Sequence, residues 1–132
     1  MPTLTAYDYA ILRVVPRVER EEFMNVGVVL HSYEPAFLAT GCALDVQRLA
    51  AFAPDLDPRL VHEHLVAAER ICRGDADAGP IARLPPRERF LWVTSPRSTI
   101  LQPSPVHVGL CTDPKTALAH LLETMVRAPS RP

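Results

Sequence analysis

The sequence of 132 residues has one lysine, one tryptophan, three cysteines and five glycines. It has no excess of either charge, with 14 Lys plus Arg against 15 Asp plus Glu. Without a basic excess, a surface that attracts nucleic acid or anionic lipid as a whole is excluded. No apolar run approaches the roughly 18–20 residues that span a bilayer. The first residues, Met1 to Ala6, lack the basic and apolar regions of a secretory signal. Cys42, Cys72 and Cys111 are odd in number, widely spaced and set among apolar residues, so they read as buried thiols rather than a disulfide framework. A cytoplasmic protein is expected. The sequence also lacks a glycine-rich phosphate loop, a Gly-x-Ser-x-Gly elbow and a zinc ribbon.

What is present points to a folded domain. The hydrophobic share is 48%, too high for a disordered chain of low net charge. Tyr7 to Val15 reads as a strand apolar on both faces, which belongs inside a sheet. Phe23 to Ser32 is a second strand, with Met24, Val26, Val28 and Leu30 alternating along one face. Phe37 to Cys42 is a third, and the short connections predict an antiparallel meander. Leu44 to Ala53 reads as a short helix ended by Pro54. Asp57-Pro58 starts a longer helix that Gly74 closes. Gly79 to Arg89 reads as a loop, Phe90 to Thr94 as a strand, and Ser98 to Leu101 and Val106 to Leu110 as extended pieces. Asp113-Pro114 opens a last helix with the stripe Leu118, Leu121, Leu122 and Met125. The expectation is a single α+β domain over residues 7–127, a mainly antiparallel sheet with helices on one face. Residues 1–6 read as a flexible lead and 128–132 as a frayed tail.

Two clusters carry the candidate chemistry. Between Ser95 and His107, the side chains of Arg97, Ser98, Thr99, Gln102, Ser104 and His107 crowd into a segment stiffened by Pro96, Pro103 and Pro105. A rigid extended segment loses little entropy on binding, and Arg grips a carboxylate or phosphate through two hydrogen bonds. The competing reading is an edge strand guarded by prolines, with its polar groups solvated or tied to nearby loops. The second cluster is Arg13, Asn25 and His31. Pairing Arg13 with Asn25 would set Tyr7 against His31 and align the three polar side chains, although a slip of one residue destroys the row. Gly27, inside the second strand, calls for a bulge or a close backbone approach. The competing reading is that Arg13 only neutralises Glu21 or Glu22 and holds the hairpin together.

Metal and cofactor sites are not expected. His62 and His64, two apart, fall on nearly opposite sides of a helix, and His64 lies in the apolar stripe as a core imidazole. His107 and Cys111 have no second pair to complete a tetrahedral set. A basic group, Arg83, Arg87, Arg89 and Arg97, suits solvent or an acidic protein partner better than nucleic acid, because only Phe90 and Trp92 interleave it.

Tyr7-Asp8-Tyr9-Ala10, Arg13-Val14-Val15-Pro16-Arg17, Glu22-Phe23-x-Asn25-Val26-Gly27-Val28 and Arg97 through Pro105 resemble the bacterial family called domain of unknown function 3037, over Tyr7 to Val126. Members are often encoded beside kinases that resemble HipA, the toxin kinase of toxin–antitoxin pairs. The resemblance implies a protein partner of that kind and supplies no catalytic residues. The expected function is a binding module that docks a protein, with no membrane or nucleic-acid role. The alternative is a small hydrolase or transferase in which Arg97 and Arg13 clamp an anion and His107 acts as base.

Overall fold

A strand apolar on both faces needs a partner layer on each side, and β1 (Thr5–Val14) has both. The computed structural model describes residues 3–129. In it β1 lies between β2 (Met24–Ser32) and two short strands that share its other edge, β4 (Leu101–Pro103) and β5 (His107–Cys111); β3 (Phe37–Cys42) lies beyond β2. All pairings are antiparallel, and the protein is a single α+β domain. β1 begins at Thr5, opposite Cys111, so two residues expected in the lead belong to the sheet. Residues 1–2 and 130–132 lie outside the described part.

Helices α1 (Val46–Phe52), α2 (Pro58–Arg73) and α3 (Pro86–Val93) cover one face. Their apolar sides bury Leu49, Val61, Leu65, Ile71, Phe90 and Val93 against Ala10, Leu12, Val14 and Val26. Helix α4 (Pro114–Leu121) lies on the opposite face, a correction to the expectation of one helical face. There Leu121 and Val126 pack on Ile11, Val28 and Leu30. The physical reason is that β1 and β2 present apolar side chains both ways, and one layer of helices leaves half of them in water.

The expected caps hold α2. The Asp57 carboxylate accepts from Arg59 N, Pro58 occupies the first turn, and Gly74 ends the helix at φ 72°. α1 starts later than expected, at Val46, because Asp45 is the cap. The segment read as a loop followed by a strand is instead α3. Proline at its start presets φ, and Phe90 and Val93, three apart, fill the core while Leu91 and Trp92 face outward. Beyond α4 the chain widens into a π turn, Leu122–Val126. The extra residue rotates the stripe, burying Val126 and exposing Met125 where the helical spacing predicts a buried methionine.

β2 carries the irregularity that Gly27 announces. Leu12 pairs with Gly27 and Arg13 with Asn25, so Val26 is extra on its strand. A Cβ on Gly27 would stand 3.0 Å from the Gly41 carbonyl oxygen, so the position admits little beyond glycine. The bulge reverses the alternation. Met24 and Val26 join Val29 in the core under α1–α3, whereas Val28 and Leu30 face α4, so the four do not share a face.

Candidate functional site

The bulge also disperses one of the two candidate clusters. Arg13 does face Asn25, but His31 pairs with Asp8 rather than Tyr7 and lies on the opposite face. In place of His31 the row gains Gln102, which pairs with Arg13 from β4, so Asn25, Arg13 and Gln102 stand side by side across three strands. The Arg13 guanidinium lies 4.0 Å above the Phe23 ring. Asn25 donates from Nδ2 to the Met125 carbonyl at 3.0 Å and so ties β2 to the π turn. Arg13 Nε and Asn25 Oδ1 are buried without protein partners. The row borders a 620 Å³ depression at Asn25, whose arginines are already engaged: Arg48 Nη1 donates to the Val126 carbonyl at 3.3 Å and Arg127 pairs with Glu123 at 3.1 Å.

The second cluster divides between inward and outward roles. Arg97 is half-buried, with its guanidinium 4.5 Å from the Trp92 ring centroid. It donates from Nε to the Ser95 carbonyl at 3.3 Å and from Nη2 to the Trp92 carbonyl, satisfying oxygens at the C-terminus of α3. Burial pulls its pKa below the ordinary value. Thr99 donates to the Leu101 carbonyl at 2.7 Å, and Gln102 Nε2 to the Thr99 carbonyl at 3.0 Å. Ser104 is the most enclosed. It sits in the gap between β4 and β5, donates from N to the Ile11 carbonyl at 2.7 Å, and accepts the Ile11 N–H on Oγ at 2.8 Å. One serine thereby continues the ladder where the two short strands part. Ser98 and His107 are exposed, with the His107 ring 5.4 Å from that of Tyr9.

Arg97, Thr99 and Gln102 meet at a groove. Its 440 Å³ lies between α2, the end of α3 and β4, floored by Leu12, Val93 and Leu101. His64, expected in the core, is half-buried on its wall; Trp92, 39% exposed, and Arg97 form its rim. A second depression of 280 Å³ shares Arg97, Gln102 and Pro103 and reaches Val106. The groove therefore offers an apolar floor, an indole face and one cation.

The anion clamp of the enzyme reading does not assemble. His107 stands opposite Tyr9, which lies four residues from Arg13 along β1, or roughly 13 Å at strand rise. Arg97 is at the groove under α2 and α3, while Arg13 faces the α4 side beside Phe23 and Asn25. The basic group is likewise dispersed. Arg89 turns back to the Ile71 and Cys72 carbonyls, at 3.1 and 2.6 Å, to close α2. Arg87 pairs with Asp8 and lies 5.3 Å over the Phe90 ring.

This Asp8–Arg87 pair is a feature that sequence reasoning misses. It holds buried His31, whose Nδ1 is 3.5 Å from Arg87 Nη1 and whose ring meets Tyr33 edge-on at 4.7 Å. Burial lowers the His31 pKa, Arg87 lowers it further, and Asp8 opposes both. The thiols are the reverse of activated. Burial, with Glu69 adding to it, pushes Cys42 up to about 12, and burial raises Cys72 and Cys111 as well.

Fold and site together define a small α+β domain with an apolar groove rimmed by Trp92 and Arg97; of the nominated residues Arg97, Thr99 and Gln102 meet there, while Arg13 and Asn25 stand at a separate depression and Ser98 and His107 are exposed. Residues 9–126 match the model of a family described as protein of unknown function (DUF3037), and the chain belongs to that family. Comparison with curated proteins and with solved structures finds no match. Among the described residues no helix is long and apolar enough to cross a membrane.

Proposed function

We propose that the chain is a binding module that docks a protein partner at the Trp92–Arg97 groove. One observation carries this reading: a half-exposed indole and a stacked guanidinium stand together at the mouth of a 440 Å³ apolar recess. Trp and Arg are the residues most enriched where interfaces concentrate their binding energy. The indole holds the guanidinium in place before a partner arrives, so little side-chain freedom remains to be lost. The favoured occupant is a segment with an apolar anchor for the floor and a carboxylate for Arg97. A HipA-like kinase, expected from the resemblance, is the first protein to try, in a cytoplasmic bacterial setting of the toxin–antitoxin kind.

The experiment is titration calorimetry of this chain against a purified HipA-like kinase. Arg97→Ala is expected to weaken the complex roughly 10–100-fold, the loss of a central interface arginine. Absence of a complex, or equal affinity for the variant, refutes the reading.

A further inference from the structure

Among the described residues, no strand pairs with the outer edge of β5. Val15 N donates to the Ile100 carbonyl and Ser104 N to the Ile11 carbonyl, both at 2.7 Å, so the odd-numbered residues of β1 bond toward this edge. By the alternation of an antiparallel ladder, His107, Gly109 and Cys111, opposite Tyr9, Tyr7 and Thr5, direct their N–H and C=O groups to β1. The backbone groups of Val108 and Leu110 then point outward.

The side chains on the same strand are equally uncovered. Val106, Val108 and Leu110 are 43%, 72% and 65% exposed, a row of three aliphatic groups at strand spacing on one face. Proteins guard such edges with charge, proline or a bulge. Pro103 and Pro105 guard the β4 half, and the guarding stops where β5 begins. From Ser98 to Thr112 the chain carries no Asp, Glu, Lys or Arg. The nearest charge on the apolar side, Asp8 opposite Val108, is neutralised by Arg87.

We infer that β5 is the seam along which a second copy of this chain pairs, antiparallel and centred on Gly109, joining two sheets across a two-fold axis. The strand is complementary to itself in that arrangement. Val108 opposes Leu110 of the other copy, so their outward N–H and C=O groups exchange hydrogen bonds and their side chains meet on one face. Val106 opposes Thr112 and His107 opposes Cys111. With no charge in the strand, the two copies meet no like-charge repulsion at the seam. A seam of one short strand falls near the lower end of specific interfaces, so the dimer forms in the micromolar range rather than below it. The inference is independent of the groove, which no residue of β5 lines.

Analytical ultracentrifugation of the full chain, from low micromolar to several hundred micromolar, tests the seam. The expected result is a mass rising from 14.6 kDa to twice that value. Val108→Lys with Leu110→Lys is expected to hold the chain at monomer mass, with an unchanged thermal melt because both side chains are exposed. Val108→Pro separates strand pairing from mere apolar contact: it removes an N–H that the monomer does not use and is expected to abolish the dimer as well. Slowed exchange of the Val108 and Leu110 amides at high concentration is the matching signature. A monomer at several hundred micromolar overturns the inference, as does a dimer that survives the lysine pair or Val108→Pro.

Discussion

Replacing Ser104 by alanine separates a structural role for the proline-braced segment from a recognition role. In the folded chain the Ser104 hydroxyl is 3% exposed as part of its residue and accepts the Ile11 N–H at 2.8 Å. Alanine leaves that N–H facing a methyl group inside the sheet, with no water in reach, while the Ser104 N to Ile11 carbonyl bond at 2.7 Å persists. A buried donor left unpaired costs about 1–3 kcal/mol. The bond from Oγ to the Pro105 carbonyl is also lost, but Pro105 is exposed and water replaces it. For a domain of this size the total corresponds to a Tm lower by roughly 4–12 °C. Urea unfolding followed by circular dichroism reads the stability, and hydrogen exchange at the Ile11 amide reads the site directly. A loss below about 0.5 kcal/mol, with the Ile11 amide still fully protected, refutes the account of Ser104 as the bridge between β4 and β5.

Substitutions at His31, Gly109 and Tyr7 probe other parts of the sheet. His31 is buried with its pKa lowered, so folding favours the neutral ring; its contribution is complete above the unfolded value of about 6.5 and is lost as pH falls through the lowered folded value. Urea midpoints measured near neutrality and in mild acid are expected to fall with acid, and His31→Gln is expected to flatten part of that slope; an unchanged slope contradicts the burial argument. A Cβ on Gly109 would stand 2.5 Å from Tyr7 Cζ, so Gly109→Ala is expected to cost about 1–3 kcal/mol, the range for overpacking. Tyr7→Leu is expected to recover part of that loss in the double variant, and a purely additive double variant refutes the contact.

The elements legible in the sequence are those whose signals are local. Asp57, Pro58 and Gly74 mark both ends of α2 without reference to the rest of the chain. The two-faced apolar pattern of β1 places it inside the sheet, and the same pattern foretells a second helical layer, a consequence that the one-faced architecture omits. Phe90-Leu91-Trp92-Val93 is ambiguous by composition, because a four-residue apolar run fits a strand as well as a buried turn of helix; packing of Phe90 and Val93 decides it. Gly27 signals an irregularity in β2, yet only the paired strand shows that Val26 is the extra residue, and that single step removes His31 from the Arg13 row. Asp8 and Arg87, 79 residues apart, share no local signal at all. Within the Ser95–His107 segment the polar residues are conspicuous in sequence, but their direction is not: Thr99, Gln102 and Ser104 spend hydrogen bonds within the fold, Thr99 and Gln102 line the groove with Arg97, and Arg97 adds the guanidinium stacked on its rim.

The docking account stands on the pairing of Trp92 with Arg97 at the groove. Trp92→Ala and Arg97→Ala, measured singly and together by calorimetry against a HipA-like kinase, the partner proposed above, test it most directly. Both side chains are expected to weaken binding, and the double variant to lose less than the sum of the two, because the indole positions the guanidinium. Full affinity in the double variant contradicts the account.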